Sequence, residues 1–251
     1  MRTFPILFTA EFKRFWTIGM IVFSIAIIAV GLIPSVVMVQ SGMVTTLSKL
    51  IVSADSFLSF FTFLIFSAGI VGADVTSGWL RTLLIRSITR EQYVITKILV
   101  VFASTLIVYA VGILIAAIVL MSDPKLTFTI DLSLSAMIML LKCCQALLLI
   151  ILSTLVSCLV QGSFNSFFVY GWMVVGQLIN FLVMRKYWDL KWAVVLKDYL
   201  FPNGFEDAQQ SLLSDMAFPY AELLWGCAAL TIFFAATLFA MNRVVVDVGS
   251  E

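Results

Sequence analysis

Residues 15–48 read FWTIGMIVFSIAIIAVGLIPSVVMVQSGMVTTLS, from Phe15 to Ser48, without one charged side chain. A helix crossing the hydrocarbon core of a bilayer needs about 20 mostly apolar residues, whereas a cleaved signal carries an apolar run of only about 7–15. The stretch is therefore expected to be a retained transmembrane span. Four further uncharged windows follow, Ser56–Ala73, Ile98–Ser122, Cys143–Met184 and Leu223–Asn242. At about 1.5 Å per residue the window Cys143–Met184 is too long for one crossing. Its polar interruption, Gln161-Gly162-Ser163-Phe164-Asn165-Ser166, divides it in two. The helix before that interruption is expected to begin near Leu134, which places Lys142 inside it. The expectation is an all-α integral membrane protein, a single transmembrane domain over residues 1–251. Its six spans lie at about 16–39, 55–73, 97–121, 134–160, 166–184 and 221–242.

Composition points the same way. The chain is 62% hydrophobic and 12% charged, with a mean hydropathy of +1.12, against about 45–50% and about 25% in soluble domains. A net charge of +1, with basic residues scattered in short loops, gives no footprint for nucleic acid. There is no histidine, which removes the commonest general base and metal ligand, so neither a catalytic residue nor a metal site is expected. Cys143, Cys144, Cys158 and Cys227 all lie in apolar stretches and read as packing residues. No phosphate-cradling Gly-rich loop ending in Gly-Lys-Ser/Thr occurs. The chain is expected to bind no cofactor, and any nucleotide energy has to come from a partner.

Orientation follows from Lys and Arg in the short flanking segments. With both termini cytoplasmic, Arg2, Lys13, Arg14, Arg81, Arg86, Arg90, Lys97 and Arg243 lie inside, and Lys49, Lys125, Arg185, Lys186, Lys191 and Lys197 outside. Residues 1–15 read as an interfacial helix, with Phe4, Leu7, Phe8, Phe12 and Phe15 at helical spacing and Glu11, Lys13 and Arg14 placed to meet headgroups. An unstructured basic leader is the alternative. Residues 185–220 form a long outer segment whose Trp188, Trp192 and Tyr199 suit an interface belt, with Pro202-Asn203-Gly204 as a turn between two short amphipathic helices.

Between the second and third spans, residues 74–96 carry the strongest functional signal. Trp79, Leu80, Leu83 and Leu84 share one helical stripe, with Arg81 and Arg86 off it, and Thr89 followed by Gln92 fits a capping box. A short amphipathic helix, a break near Ser87-Ile88 and a fresh helix start are expected. Such a helix can lie on the membrane or dock into a groove on a cytosolic partner with its stripe residues as anchors.

This loop resembles the signature loop of ABC-2 type permeases, the membrane subunits of a class of ATP-binding cassette transporters. Members tend to show an acidic residue, Gly four positions on, a Leu-rich amphipathic helix, a short turn, Arg, then an aromatic and Lys leading into the third span. Those positions match Asp74, Gly78, Leu80, Leu83, Leu84, Ser87-Ile88-Thr89, Arg90, Tyr93 and Lys97. The sequence departs from the pattern in having Asp74 where Glu is commoner and Trp79 where Thr is. The resemblance implies a coupling role for Asp74, Gly78, Trp79, Leu80, Arg81, Leu83, Leu84, Arg86 and Arg90, with the Trp79–Ser87 helix received by an ATPase. It also implies two copies of a separate P-loop ATPase holding ATP and Mg, a second permease of the same or a related chain, and a location in the plasma membrane. Small members often serve peptide-antibiotic export or self-immunity, so the implied activity is export of amphipathic or hydrophobic substrates (peptide, lipid-like or drug).

Polar residues inside the spans carry two readings each. Lys142 either faces a pathway or dimer seam, or snorkels outward from a shallow segment. Gln145, Asn165, Gln177 and Asn180 either pack helices through hydrogen bonds or line a pathway. Asp55 and Glu222 sit near span ends. An ion-coupled secondary transporter is the main alternative, although no clear internal repeat or mid-span acid is present. An intramembrane enzyme has little support, and a non-transporting scaffold stays open.

Overall fold

The structure, a computed structural model, describes residues 3–40, 45–53, 70–85, 88–122, 129–160, 171, 175, 204–214 and 218–243. Among these residues the protein is entirely helical, apart from one isolated bridge between Thr46 and Thr129. The helices are α1 (Thr3–Phe15), α2 (Ile18–Gln40), α3 (Leu47–Ser53), α4 (Ile70–Thr76), α5 (Trp79–Ile85), α6 (Arg90–Met121), α7 (Leu132–Leu159), α8 (Gly204–Ser214) and α9 (Tyr220–Arg243). The spans expected over 55–73 and 166–184 fall largely outside the described residues, as do the Gln161–Ser166 turn and most of segment 185–220.

Among the described residues three helices, α6, α7 and α9, are long and apolar enough to cross a membrane. A fourth crossing is reached if α1 and α2 count as one broken span, bent by 68°. The bend falls at Trp16-Thr17, where the Thr17 hydroxyl accepts from the Met20 amide and so caps the start of α2. The chain carries the surface such a setting requires. Ile18, Ile21, Val22 and Ile25 of α2, and Ile107, Val111, Leu114 and Ile118 of α6, are exposed at helical spacing. Water penalises so continuous an apolar face, and hydrocarbon does not.

At about 1.5 Å per residue, the 32 residues of α6 make a rod of about 48 Å, longer than the roughly 30 Å of hydrocarbon. Its charged residues, Arg90, Glu91 and Lys97, are all gathered in its N-terminal turns. Thr89 starts the helix as the sequence leads one to expect. Its hydroxyl accepts from the Gln92 amide at 3.2 Å, and the Gln92 side chain accepts from the Thr89 amide at 3.3 Å. Both halves of the capping box are thus present.

The most extensive packing joins α7 to α9, while α1 and α2 lie on α6, and α8 packs on both α7 and α9. One core runs from Leu7 of α1 through Leu80 and Leu83 of α5 to Tyr93, Ile98 and Tyr109 of α6, Ile150 of α7 and Met241 of α9. A second joins Leu141 and Leu148 of α7 to Phe205, Ala208 and Leu212 of α8. Phe205 approaches α9 at Gly226, where a Cβ would stand 2.7 Å from its ring. Only the absence of a side chain at Gly226 admits the ring so closely.

Candidate functional site

The segment from α4 to the start of α6 is shaped by backbone needs first. Helix α4 ends in a turn in which Ser77 donates to Ala73 and Gly78 to Val75. Gly78 then adopts a left-handed backbone with φ of 71°, a conformation that costs a residue with a Cβ about 1–2 kcal/mol. A Cβ at this position would meet nothing within 4 Å, so the demand for glycine here is conformational and not steric. The chain reverses at Gly78 into α5. The other end of α4 is held from α7, where the Ser157 hydroxyl accepts the Val71 and Gly72 amides at 3.1 and 2.9 Å.

Four charges converge where α1, α4 and α6 meet. Lys97 Nζ lies 2.6 Å from both Glu11 Oε2 and Asp74 Oδ2, and Arg14 Nη1 lies 2.8 Å from Asp74 Oδ1. Tyr93 donates its hydroxyl to Asp74 at 2.6 Å, and Trp79 donates its indole N–H to Glu11 at 2.8 Å. The Arg14 guanidinium also stacks over the Trp79 ring at 4.7 Å. Glu11 and Asp74 are only 2% and 3% exposed. Two acids and two bases make the cluster neutral, and each carboxylate meets both cations and a neutral donor. That balance is what makes the burial of charge tolerable. The result is a brace that joins α1, the α4–α5 turn and the base of α6.

The motif residues thus face inward. Asp74, Tyr93 and Lys97 meet in the brace, and Leu80 and Leu83 are buried in the core at 0% and 5% exposure. Of the stripe expected to serve as docking anchors, Leu80 and Leu83 hold α5 to its own protein, while Trp79 and Leu84 are half-buried beside them. The free face of α5 is Arg81, Thr82 and Ile85, the last 74% exposed. Arg90 acts elsewhere, its guanidinium donating to the Met241 and Asn242 carbonyls at 3.2 and 3.1 Å. It thereby occupies acceptors that the end of α9 leaves without intrahelical partners. Arg86 lies outside the described residues.

One expectation needs correction. Glu11 does not meet headgroups: it is buried, while its neighbour Lys13 is exposed and the Arg14 side chain is 42% exposed. The signal was present in the sequence. Glu11 stands four residues after Leu7 and four before Phe15, on the apolar stripe itself. What the sequence could not supply was its partner, Lys97, far along the chain.

A second polar group lies within α7. Lys142 is 1% exposed and donates to Gln145 Oε1 at 3.2 Å, and Gln209 of α8 donates to the same oxygen at 3.1 Å. Lys142 is turned inward and does not snorkel outward. The expected companions Asn165, Gln177 and Asn180 lie outside the described residues. At the N-terminal end of α7, Asp131 caps α3, accepting the Ser48 amide at 3.0 Å, the Ser48 hydroxyl and the Ser135 hydroxyl. Burial works against its charge, but the Ser48 and Ser135 hydrogen bonds outweigh it and hold the carboxyl below the usual carboxylate value. Among the described residues no group of three His, Cys, Asp or Glu could hold a metal ion.

No protein-family model, curated protein or solved structure matches this chain.

Proposed function

We propose that the chain is the membrane permease subunit of an ATP-binding cassette transporter of the ABC-2 type, with six spans and both termini in the cytoplasm. Two permeases, identical or related, form the path in the plasma membrane. Two separate P-loop ATPases, which hold the ATP and Mg, sit beneath. The observation that carries this reading is the brace around Asp74. A helix that passes force from a partner to a span has to be rigid with respect to that span. Asp74 at the end of α4 ties the α4–α5 turn to Arg14 of α1 and to Tyr93 and Lys97 of the 32-residue α6, and α5 itself joins the brace through Trp79, which donates to Glu11 and lies under Arg14. Its outward face, Arg81, Thr82 and Ile85, has the mixture of an apolar anchor and a basic rim that helix-in-groove docking uses. Movement of the ATPase pair then tilts α6 and α1 as one body and switches the path between inward- and outward-open states. The apolar spans and the amphipathic α8 suit export of amphipathic or hydrophobic substrates, of peptide, lipid-like or drug character.

The test is purification of the tagged chain from its native membranes in mild detergent, with an assay of ATP hydrolysis. A P-loop ATPase is expected in roughly equal amount, and it is expected to be lost in the Arg81→Glu, Ile85→Asp double variant, whose side chains are exposed. Leu83→Asp is not an equivalent probe, because a buried carboxylate there unfolds the loop. Recovery of the chain alone, without hydrolysis, sinks the reading. A second reading, an ion-coupled transporter with no ATPase, draws on the burial of Lys142 within a span. It predicts transport that follows the proton or sodium gradient and is lost in Lys142→Leu.

A further inference from the structure

Helix α6 opens with a cation where a helix tolerates one least. Arg90 directly follows the Thr89 cap, and the positive end of the helix dipole disfavours a guanidinium in the first turn. The side chain leaves its own helix and lies at the opposite pole of another, the C-terminal end of α9. There it donates to the Met241 and Asn242 carbonyls, which have no intrahelical donors of their own, in a place where the dipole favours a cation. A charge unfavourable to α6 alone thus becomes favourable between α6 and α9. Packing between these two helices is otherwise slight beside that between α7 and α9.

The polar ties near this contact differ in what it takes to separate them. Parting the brace strands the buried carboxylates of Glu11 and Asp74. Ser157, 1% exposed, holds α4 to α7 through two amides, and Asp131 holds α3 to the far end of α7. Arg90 is only half-buried and Asn242 is exposed, so water can solvate both the guanidinium and the Asn242 carbonyl when they part. Of these ties the one between α6 and α9 is the easiest to break. We propose that Arg90 is a latch, a positioning residue that holds the start of α6 against the end of α9 and whose release lets those two ends separate. The brace then moves with α6, α9 stays with α7, and the Ser157 contact serves as the pivot. The latch belongs to this chain by itself and does not depend on an ATPase at α5.

The test places spin labels on cysteines introduced at Glu91 and Asn242, both exposed, in a chain whose four native cysteines are replaced by alanine. Their separation in lipid nanodiscs is read from dipolar broadening at short range and from pulsed EPR at long range. One short distance is expected to dominate when Arg90 is present. Arg90→Ala is expected to raise the ratio of separated to closed molecules about tenfold, the equivalent of one charge-assisted hydrogen bond. Arg90→Lys, which keeps the charge, is expected to fall between the two. Hydrogen exchange at the Val71 amide, held by Ser157, is expected to stay unchanged throughout. An unaltered distance distribution in Arg90→Ala overturns the proposal. A longer distance accompanied by faster exchange at Val71 also overturns it, because the whole bundle has then loosened. If Arg90→Ala does not fold, Arg90→Gln carries the same comparison, and an unchanged distance there is equally fatal.

Discussion

Asp74 is the residue on which the braced end of the protein depends. Its carboxylate faces Arg14, Lys97 and the Tyr93 hydroxyl at once, so Asp74→Asn leaves two cations sharing one remaining acid. Breaking a buried ion pair from one side costs about 3–5 kcal/mol, whereas Tyr93→Phe removes a single charge-assisted hydrogen bond, worth about 1.5–3 kcal/mol. Unfolding in mild detergent is expected to rank the two in that order, and equal losses contradict the brace. Asp131 offers a pH-dependent contrast at the α3–α7 junction. Its folded carboxyl titrates below the usual carboxylate value, so its contribution is fully present above that value and is lost as pH falls through the depressed one. Hydrogen exchange at the Ser48 amide should accelerate only in that acid window, and Asp131→Asn should abolish the pH dependence.

Among the elements, α5 shows how a short helix is held when its own cooperativity is small. Seven residues make a marginal helix in isolation, so α5 depends on its entry turn, its two buried leucines and the Trp79 indole. Gly78→Ala strains the left-handed entry by about 1–2 kcal/mol, and Thr89→Ala removes the cap of α6 at a cost of about 1 kcal/mol. The expected difference lies in what fails. Gly78→Ala should loosen α5 alone and lower ATPase recovery, while Thr89→Ala should fray only the first turn of α6. Exchange rates of the Thr82 and Tyr93 amides, which donate to Gly78 and Thr89, separate the two outcomes.

For the molecule as a whole, the brace and the Arg90 contact gather the start of α6, the end of α9 and the α4–α5 turn at one end. The proposed topology puts that end in the cytoplasm. Single cysteines introduced at Thr82 and at Arg243 should react with a membrane-impermeant thiol reagent only in opened vesicles, and ones at Lys125 and Lys191 in intact cells. Labelling of position 82 from outside would reverse the orientation and remove the basis for docking an ATPase.

That the protein is helical and fit for a membrane is legible in the sequence alone, which carries runs of uncharged apolar residues long enough to cross one and needs no tertiary information to be read so. The start of α6 is legible there too, since the Thr89 and Gln92 cap is a contact between residues three apart, and the loop 74–96 is marked as unusual. Which way that loop faces emerges from the folded packing and from nothing local. Periodicity reports that Leu80 and Leu83 share a stripe, but partner, lipid and the protein's own core are equally apolar destinations. The core took them. Glu11 and Lys97 likewise stand far apart in the chain, and a charge on an apolar stripe says that a partner is needed without saying where it lies. The same holds for Lys142: it is buried beside Gln145, whose oxygen it shares with Gln209 of α8, a contact between distant segments that no local pattern encodes.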